Sequence, residues 1–113
     1  MNYRIELSAS FTKEAKRLKK HYASFVDDYE NLINELEANP CLGTDLGGGL
    51  RKIRMRIASK GKGKSGGARV ITFTVVVAVD ETKISLLYIY DKAERATIAS
   101  GEIEELLRKN GLK

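Results

Sequence analysis

Polar and apolar positions alternate at the start of the chain. Tyr3, Ile5 and Leu7 share one parity and Arg4 and Glu6 the other, which predicts a short strand over residues 2–7 with one apolar face. The period then lengthens. Phe11, Ala15, Leu18 and Tyr22 recur at helical spacing behind Ser10, a candidate N-cap, while Lys13, Lys16, Arg17, Lys19 and Lys20 fall mostly elsewhere on the circumference. A second helix is expected after Ser24, burying Phe25, Tyr29, Leu32, Ile33 and Leu36. It stops before Pro40, whose ring keeps Asn39 out of the helical region. Residues 41–49, CLGTDLGGG, read as a glycine-rich loop.

From Leu50 the period returns to two. Ile53, Met55 and Ile57 occupy one face of a strand over Leu50 to Ile57, and Lys52, Arg54 and Arg56 the other. The glycine-rich SKGKGKSGG interrupts it. Ala68 to Val79 is then a long β-branched strand, apolar on both parities in its second half and so expected to be central. A turn over Asp80 to Lys83 leads to another apolar strand, Ile84 to Tyr90, and a last amphipathic helix is expected over Ser100 to Lys109 through Ile103, Leu106 and Leu107. The order β-α-α-β-β-β-α predicts an α+β domain, with the helices against one face of a mostly antiparallel sheet. At 113 residues the whole chain, 1–113, has the size of one domain with one core.

Charge adds what periodicity cannot show. Eight of the twenty Lys and Arg residues lie between Arg51 and Arg69, a window without Asp or Glu, whereas the rest of the chain has twelve basic residues against fifteen acidic. The net charge of +5 is therefore concentrated, and a block of like charge is relieved by a polyanion, which points to a phosphate-bearing partner. The opening MNYRIELS has charge where the apolar core of a signal peptide would sit, and the most apolar run, Val70 to Val79, suits a buried strand better than a membrane span. A cytoplasmic location is the expectation. The lone Cys41 has no disulfide partner and no metal-ligand spacing around it.

Two phosphate-loop patterns overlap in the basic window. Residues 58–65 fit a relaxed Walker A string, and Gly61, Gly63 and Gly66 fit GxGxxG. Such loops hold phosphate on backbone N–H groups at the start of a helix. Here a strand follows, so no nucleotide cofactor is expected, and the string is read as a flexible cationic hairpin loop. The only histidine, His21, sits among helix lysines without a Cys or Ser partner. Asp80, Glu81, Asp91 and Glu94 fall at strand ends where turn chemistry accounts for them, and no metal cluster is expected.

The segments Leu50-Arg-Lys-Ile-Arg54, Ser59 to Gly67, Arg69-Val-Ile and Leu87-Tyr-Ile-Tyr-Asp-Lys-Ala-Glu94 resemble the RelE/HigB branch of type II toxin-antitoxin toxins. The similarity is densest over residues 50–94, and the element order agrees over nearly the whole chain. The resemblance implies a RelE-like fold and a bacterial toxin that cuts mRNA in the ribosomal A site, held inactive by a cognate antitoxin. It also implies roles. Lys52 and Arg54 match the paired basic positions of the second strand, Arg69 the arginine that opens the next, and Lys92 a basic position after the last strand. Ala93 stands where RelE has a further catalytic arginine, and Ala99 where it has a C-terminal tyrosine. These departures point either to the HigB-like side of the family, with Lys60, Lys62, Lys64, Tyr88 or Tyr90 compensating, or to a weakened nuclease.

Cleavage by 2′-hydroxyl attack needs a base, an acid for the leaving 5′-oxygen and charge stabilisation at phosphorus. Without a usable histidine, lysines must serve, since a lysine crowded by cations gives up its proton more readily while arginine stays charged and grips two oxygens at once. Lys52 is the base candidate, Arg54 and Arg69 the phosphate clamps, Tyr90 and Lys92 further catalytic candidates, and Arg56, Lys60, Lys62, Lys64 and Tyr88 the candidate RNA and ribosome contacts. The competing expectations are a ParE-like toxin acting on gyrase and a nucleic-acid-binding module without catalysis.

Overall fold

In the computed structural model, which describes residues 2–113, the chain runs β1 (Asn2–Leu7), α1 (Ala9–His21), α2 (Phe25–Ala38), β2 (Thr44–Gly47), β3 (Leu50–Met55), β4 (Ala68–Ala78), β5 (Glu81–Asp91) and α3 (Ser100–Lys109). A single 3-10 turn, Ala58–Lys60, opens the basic loop between β3 and β4. The five strands form one sheet in the order β1-β5-β4-β3-β2, parallel between β1 and β5 and antiparallel elsewhere. β2 is an addition to the expected order. It arises within the glycine-rich loop, where Arg51 reaches back to the carbonyls of Cys41 and Gly43 (3.0 and 3.3 Å) and Gly47 supplies φ +88 at the turn.

The expected capping residue is displaced by two positions. Ser8 is the N-cap of α1: its Oγ accepts the Phe11 N–H (3.0 Å) and donates to the Leu87 carbonyl (2.7 Å), fixing the helix start on β5. Ser10 is buried inside the first turn, where its Oγ accepts from Asn110 at the end of α3 (2.9 Å). Ser8 is equally visible in the sequence, but Ser10 precedes the apolar periodicity more closely.

The helices do not share one face of the sheet. Phe11, Leu18, Phe25, Leu32 and Leu36 of α1 and α2 pack on Ile53, Met55, Val70, Leu86 and Ile89, whereas Ile103 and Leu107 of α3 pack on Ile71, Leu87 and Tyr90 on the opposite face. Adjacent residues thus serve opposite cores over Ala68 to Thr72 and along β5, whereas the apolar second half of β4, expected to be buried, runs out beyond the helices and leaves Val76, Val77 and Val79 exposed. A bulge assists: Ile71 pairs with Tyr88 and Thr72 with Leu86, leaving Leu87 as the extra residue and reversing the parity of β5 beyond it. Among the described residues, no helix is long and apolar enough to cross a membrane.

The start of β4 is set by close approach. A Cβ on Gly67 would lie 2.1 Å from the Met55 carbonyl oxygen, so only glycine lets the chain re-enter the sheet there, two residues before Arg69.

Candidate active site

The register of the sheet assembles the basic row. Arg54 on β3 pairs with Arg69 on β4, and Arg69 pairs with Tyr90 on β5, so the three side chains share the α3 face. One step along, Lys52 pairs with Ile71 and Ile71 with Tyr88. Lys52, Arg54 and Arg69 therefore lie on one side of the sheet, and none of the three forms an ion pair among the described residues.

Arg69 is buried, and its guanidinium holds the basic loop. Nη1 donates to the carbonyls of Lys64 and Ala68 (3.3 and 3.2 Å) and Nη2 to that of Ser65 (3.0 Å). Tyr90 is buried beside it, and its hydroxyl has no hydrogen-bond partner among the described residues. Burial pushes the Tyr90 phenol up, an effect opposed by Arg69, Arg95 and Thr97.

Sequence reasoning missed Arg95. Its guanidinium lies over the Tyr90 ring, 5.5 Å from the centroid, with Nη2 on Glu102 Oε1 (2.6 Å) and Nε on the Thr97 carbonyl (3.1 Å). The Glu102 carboxylate, which outweighs burial, raises the Arg95 guanidinium above its ordinary value, with Tyr88 contributing. The position expected for a further arginine is Ala93, which is exposed. The loop after β5 instead brings a cation to the row two residues later. The available signal was that arginine beside the Ala93 gap.

The remaining candidates spread outward. Tyr88 is half-buried, with its ring 6.4 Å from that of Tyr90. Lys92 Nζ donates to the Ala96 carbonyl (2.7 Å) in the loop carrying Arg95, and its backbone N–H bonds the Gly67 carbonyl (3.1 Å). Lys62 is exposed and packs along Gly66. Arg56 leaves the row, because β3 ends at Met55, and it faces Asp27, Asp28 and Glu35 of α2. Lys64 reaches the same side, pairing with Glu35 (3.0 Å).

Lys60 lies inside the protein. Its ammonium, with the side chain 8% exposed, pairs with Asp91 Oδ1 (2.6 Å), while Asp91 Oδ2 accepts the Tyr22 hydroxyl and Oδ1 also accepts the Ala93 N–H (2.9 Å). Burial disfavours the Asp91 charge, but the hydrogen bonds from Lys60, Tyr22 and Ala93 outweigh it and hold the carboxyl below the usual range. Further contacts tie down the loop start: Asp28 Oδ2 accepts the Ala58 N–H (3.1 Å) and Ser24 Oγ the Ser59 N–H (2.9 Å). The loop read as flexible is thus anchored by Asp28, Ser24, Asp91 and Arg69, with Lys64 also paired to Glu35.

Of the carboxylates assigned to turns, Glu81 pairs with Arg4 (2.9 Å) and Glu94 with Arg17 (2.6 Å), whereas Asp91 is the buried anchor just described. His21 is exposed, with its ring edge-on to Tyr22.

A cationic row framed by a glycine-entered strand and an anchored basic loop matches the densest part of the sequence resemblance. A comparison with protein-family models finds the RelE toxin of the RelE/RelB toxin-antitoxin system over residues 4–111, nearly the entire chain, and the chain belongs to the RelE toxin family.

Proposed function

We propose that the chain is the toxin of a type II toxin-antitoxin pair and cuts mRNA on the ribosome, acting in the cytoplasm and neutralised by a cognate antitoxin. The observation that carries this reading is the in-register pair Arg54 and Arg69 with Lys52 on the same face, none of them balanced by a carboxylate among the described residues. Cations placed opposite one another cost stability unless an anion comes between them, and RNA phosphate supplies one.

In the proposed reaction, Lys52, in its neutral amine form, takes the proton of the 2′-hydroxyl. The 2′-oxygen forms a bond to phosphorus, the bond from phosphorus to the 5′-oxygen breaks, and the leaving oxygen takes up a proton. The products are a 2′,3′-cyclic phosphate and a 5′-hydroxyl end. Arg54 and Arg95 hold the non-bridging oxygens from the two sides of the row. Arg69, committed to the loop carbonyls, adds its charge from below and fixes the row's position. Tyr90 and Lys92 are the two candidates for the acid. Much of the acceleration is assigned to the ribosome, which orients the strand for in-line attack.

The test is cleavage mapping on programmed ribosomes with purified protein. Wild type gives 5′-hydroxyl fragments at A-site codons, and Lys52→Ala combined with Arg54→Ala gives none while melting normally, since neither side chain belongs to a core cluster. Comparing Tyr90→Phe with Lys92→Gln separates the acid candidates. Growth inhibition with intact mRNA and a DNA-damage response would overturn the nuclease reading in favour of a gyrase-directed toxin.

A further inference from the structure

On the same sheet face as the arginine row, a groove of about 600 Å³ opens between α3 and the β2–β3 turn. Its floor is Phe73, which pairs across the sheet with Leu50. Both residues touch the α3 core, yet both remain half-buried. Lys52 on β3 lines it, as do Ser100 and Glu104, one helical turn apart on α3, with Glu104 paired to Lys113.

We propose that this groove receives one unstacked nucleobase of the RNA strand, with Phe73 as its stacking surface and Lys52 on the adjoining phosphate. The assignment rests on the nuclease reading above. An apolar slot beside a phosphate-binding row suits a ligand with an apolar ring covalently attached to a phosphate. Lys52 lines both features: along β3 it is two residues from Arg54, roughly 7 Å at the strand rise, so one extended strand spans both cations and presents a base to the groove beyond Lys52. Single-stranded RNA is recognised in this way, by splayed bases on aromatic rings. The Glu104–Lys113 pair on the wall offers the base edge both an acceptor and a donor.

The experiment pairs substrate and protein changes. Cleavage of ribosome-bound mRNA is measured with an abasic residue placed singly at each position of the A-site codon, for wild type and for Phe73→Leu, which keeps an apolar side chain and loses the π face. At one position the abasic substitution slows wild type roughly tenfold, the effect of losing one stacked base, and costs the Phe73→Leu protein nothing further. Independent losses at every position, or no loss at any, overturn the proposal. So does a Phe73→Leu protein that cuts normally but escapes its antitoxin, since the groove then belongs to a protein partner.

A second measurement separates this idea from the nuclease reading. Binding of a short RNA blocked by 2′-O-methylation is compared with that of its abasic counterpart. Base-dependent binding by a protein that does not cut mRNA removes the nuclease and keeps the groove. Cleavage with no base dependence in either assay does the reverse.

Discussion

Arg54 and Arg69 face each other directly across the β3–β4 ladder, and the next residue in that cross-strand line is Tyr90. Like charges opposite one another in a sheet destabilise it by about 0.2–1 kcal/mol. Arg54, the exposed member, makes no hydrogen bond or ion pair among the described residues that would compensate. Arg54→Gln is therefore expected to raise the melting temperature slightly while abolishing mRNA cleavage. Denaturant melts and cleavage mapping on the same preparation check the pair of outcomes, and a less stable, still active variant would remove Arg54 from the site.

Lys60 and Lys62 are neighbours in the basic loop with opposite fates, and replacing each predicts a different loss. Lys60→Met leaves Asp91 buried without its cation and is expected to cost about 3 kcal/mol of stability. The salt dependence of RNA binding by the folded fraction should stay at its wild-type slope, because the Lys60 ammonium is already neutralised inside the protein. Lys62→Gln should leave stability unchanged and reduce that slope by about one counterion. If Lys60→Met lowered the slope and Lys62→Gln did not, the loop would present its charges in another way.

The contrast between these lysines shows what the sequence could disclose. The basic row on β3 was legible because a period of two needs no tertiary information: Ile53 and Met55 went to the core and Lys52 and Arg54 to the other side. The start of β4 was legible through the Gly67 and Arg69 pattern. Which loop cations stay free was not legible, because that depends on carboxylates distant in the chain, Asp91 for Lys60 and Glu35 for Lys64. The side taken by α3 was hidden for a similar reason. Leu87 and Tyr88 are adjacent, and only the bulge in the pairing with β4 puts both on the α3 side and reverses the parity of β5 beyond them.

Arg95 supplies a charge where Ala93 offers none, and it does so from a loop held by its own contacts with Glu102 and Thr97. Removing one preorganised donor from a transition-state site costs roughly 10²-fold in rate. Arg95→Ala is expected to lower kcat by about that factor with little change in KM, whereas Glu102→Gln, which loosens Arg95 without removing it, should give a smaller loss. Arg95→Lys keeps the charge but forfeits the planar two-point grip, and should fall between the two. Single-turnover cleavage rates on programmed ribosomes check the order, and equal rates for all three variants and wild type would exclude Arg95 from the reaction.

The Tyr22–Asp91–Lys60 cluster makes stability sensitive to pH at both extremes. The Asp91 carboxyl is held below the ordinary value despite burial, so its contribution is complete above about pH 4, where the unfolded carboxylate ionises, and is lost as pH falls through the lower folded value. The Tyr22 hydroxyl, donating to the Asp91 carboxylate and partly desolvated, is pushed up to about 12. A raised phenol contributes stability that is complete below its unfolded value near 10 and disappears as pH rises through the folded one. Tyr22→Phe should therefore flatten the alkaline limb of a denaturant-midpoint profile between roughly pH 10 and 12, and in wild type an ultraviolet titration should show one tyrosine ionising late. The same substitution removes one of the hydrogen bonds holding Asp91 ionised, so the folded value moves back toward the unfolded one and the acid limb, still beginning near pH 4, should be shorter and shallower in the variant. An acid limb unmoved by Tyr22→Phe would mean that Lys60 and the Ala93 N–H hold the carboxylate without the phenol, and that the loop's anchor is a pair rather than a triad.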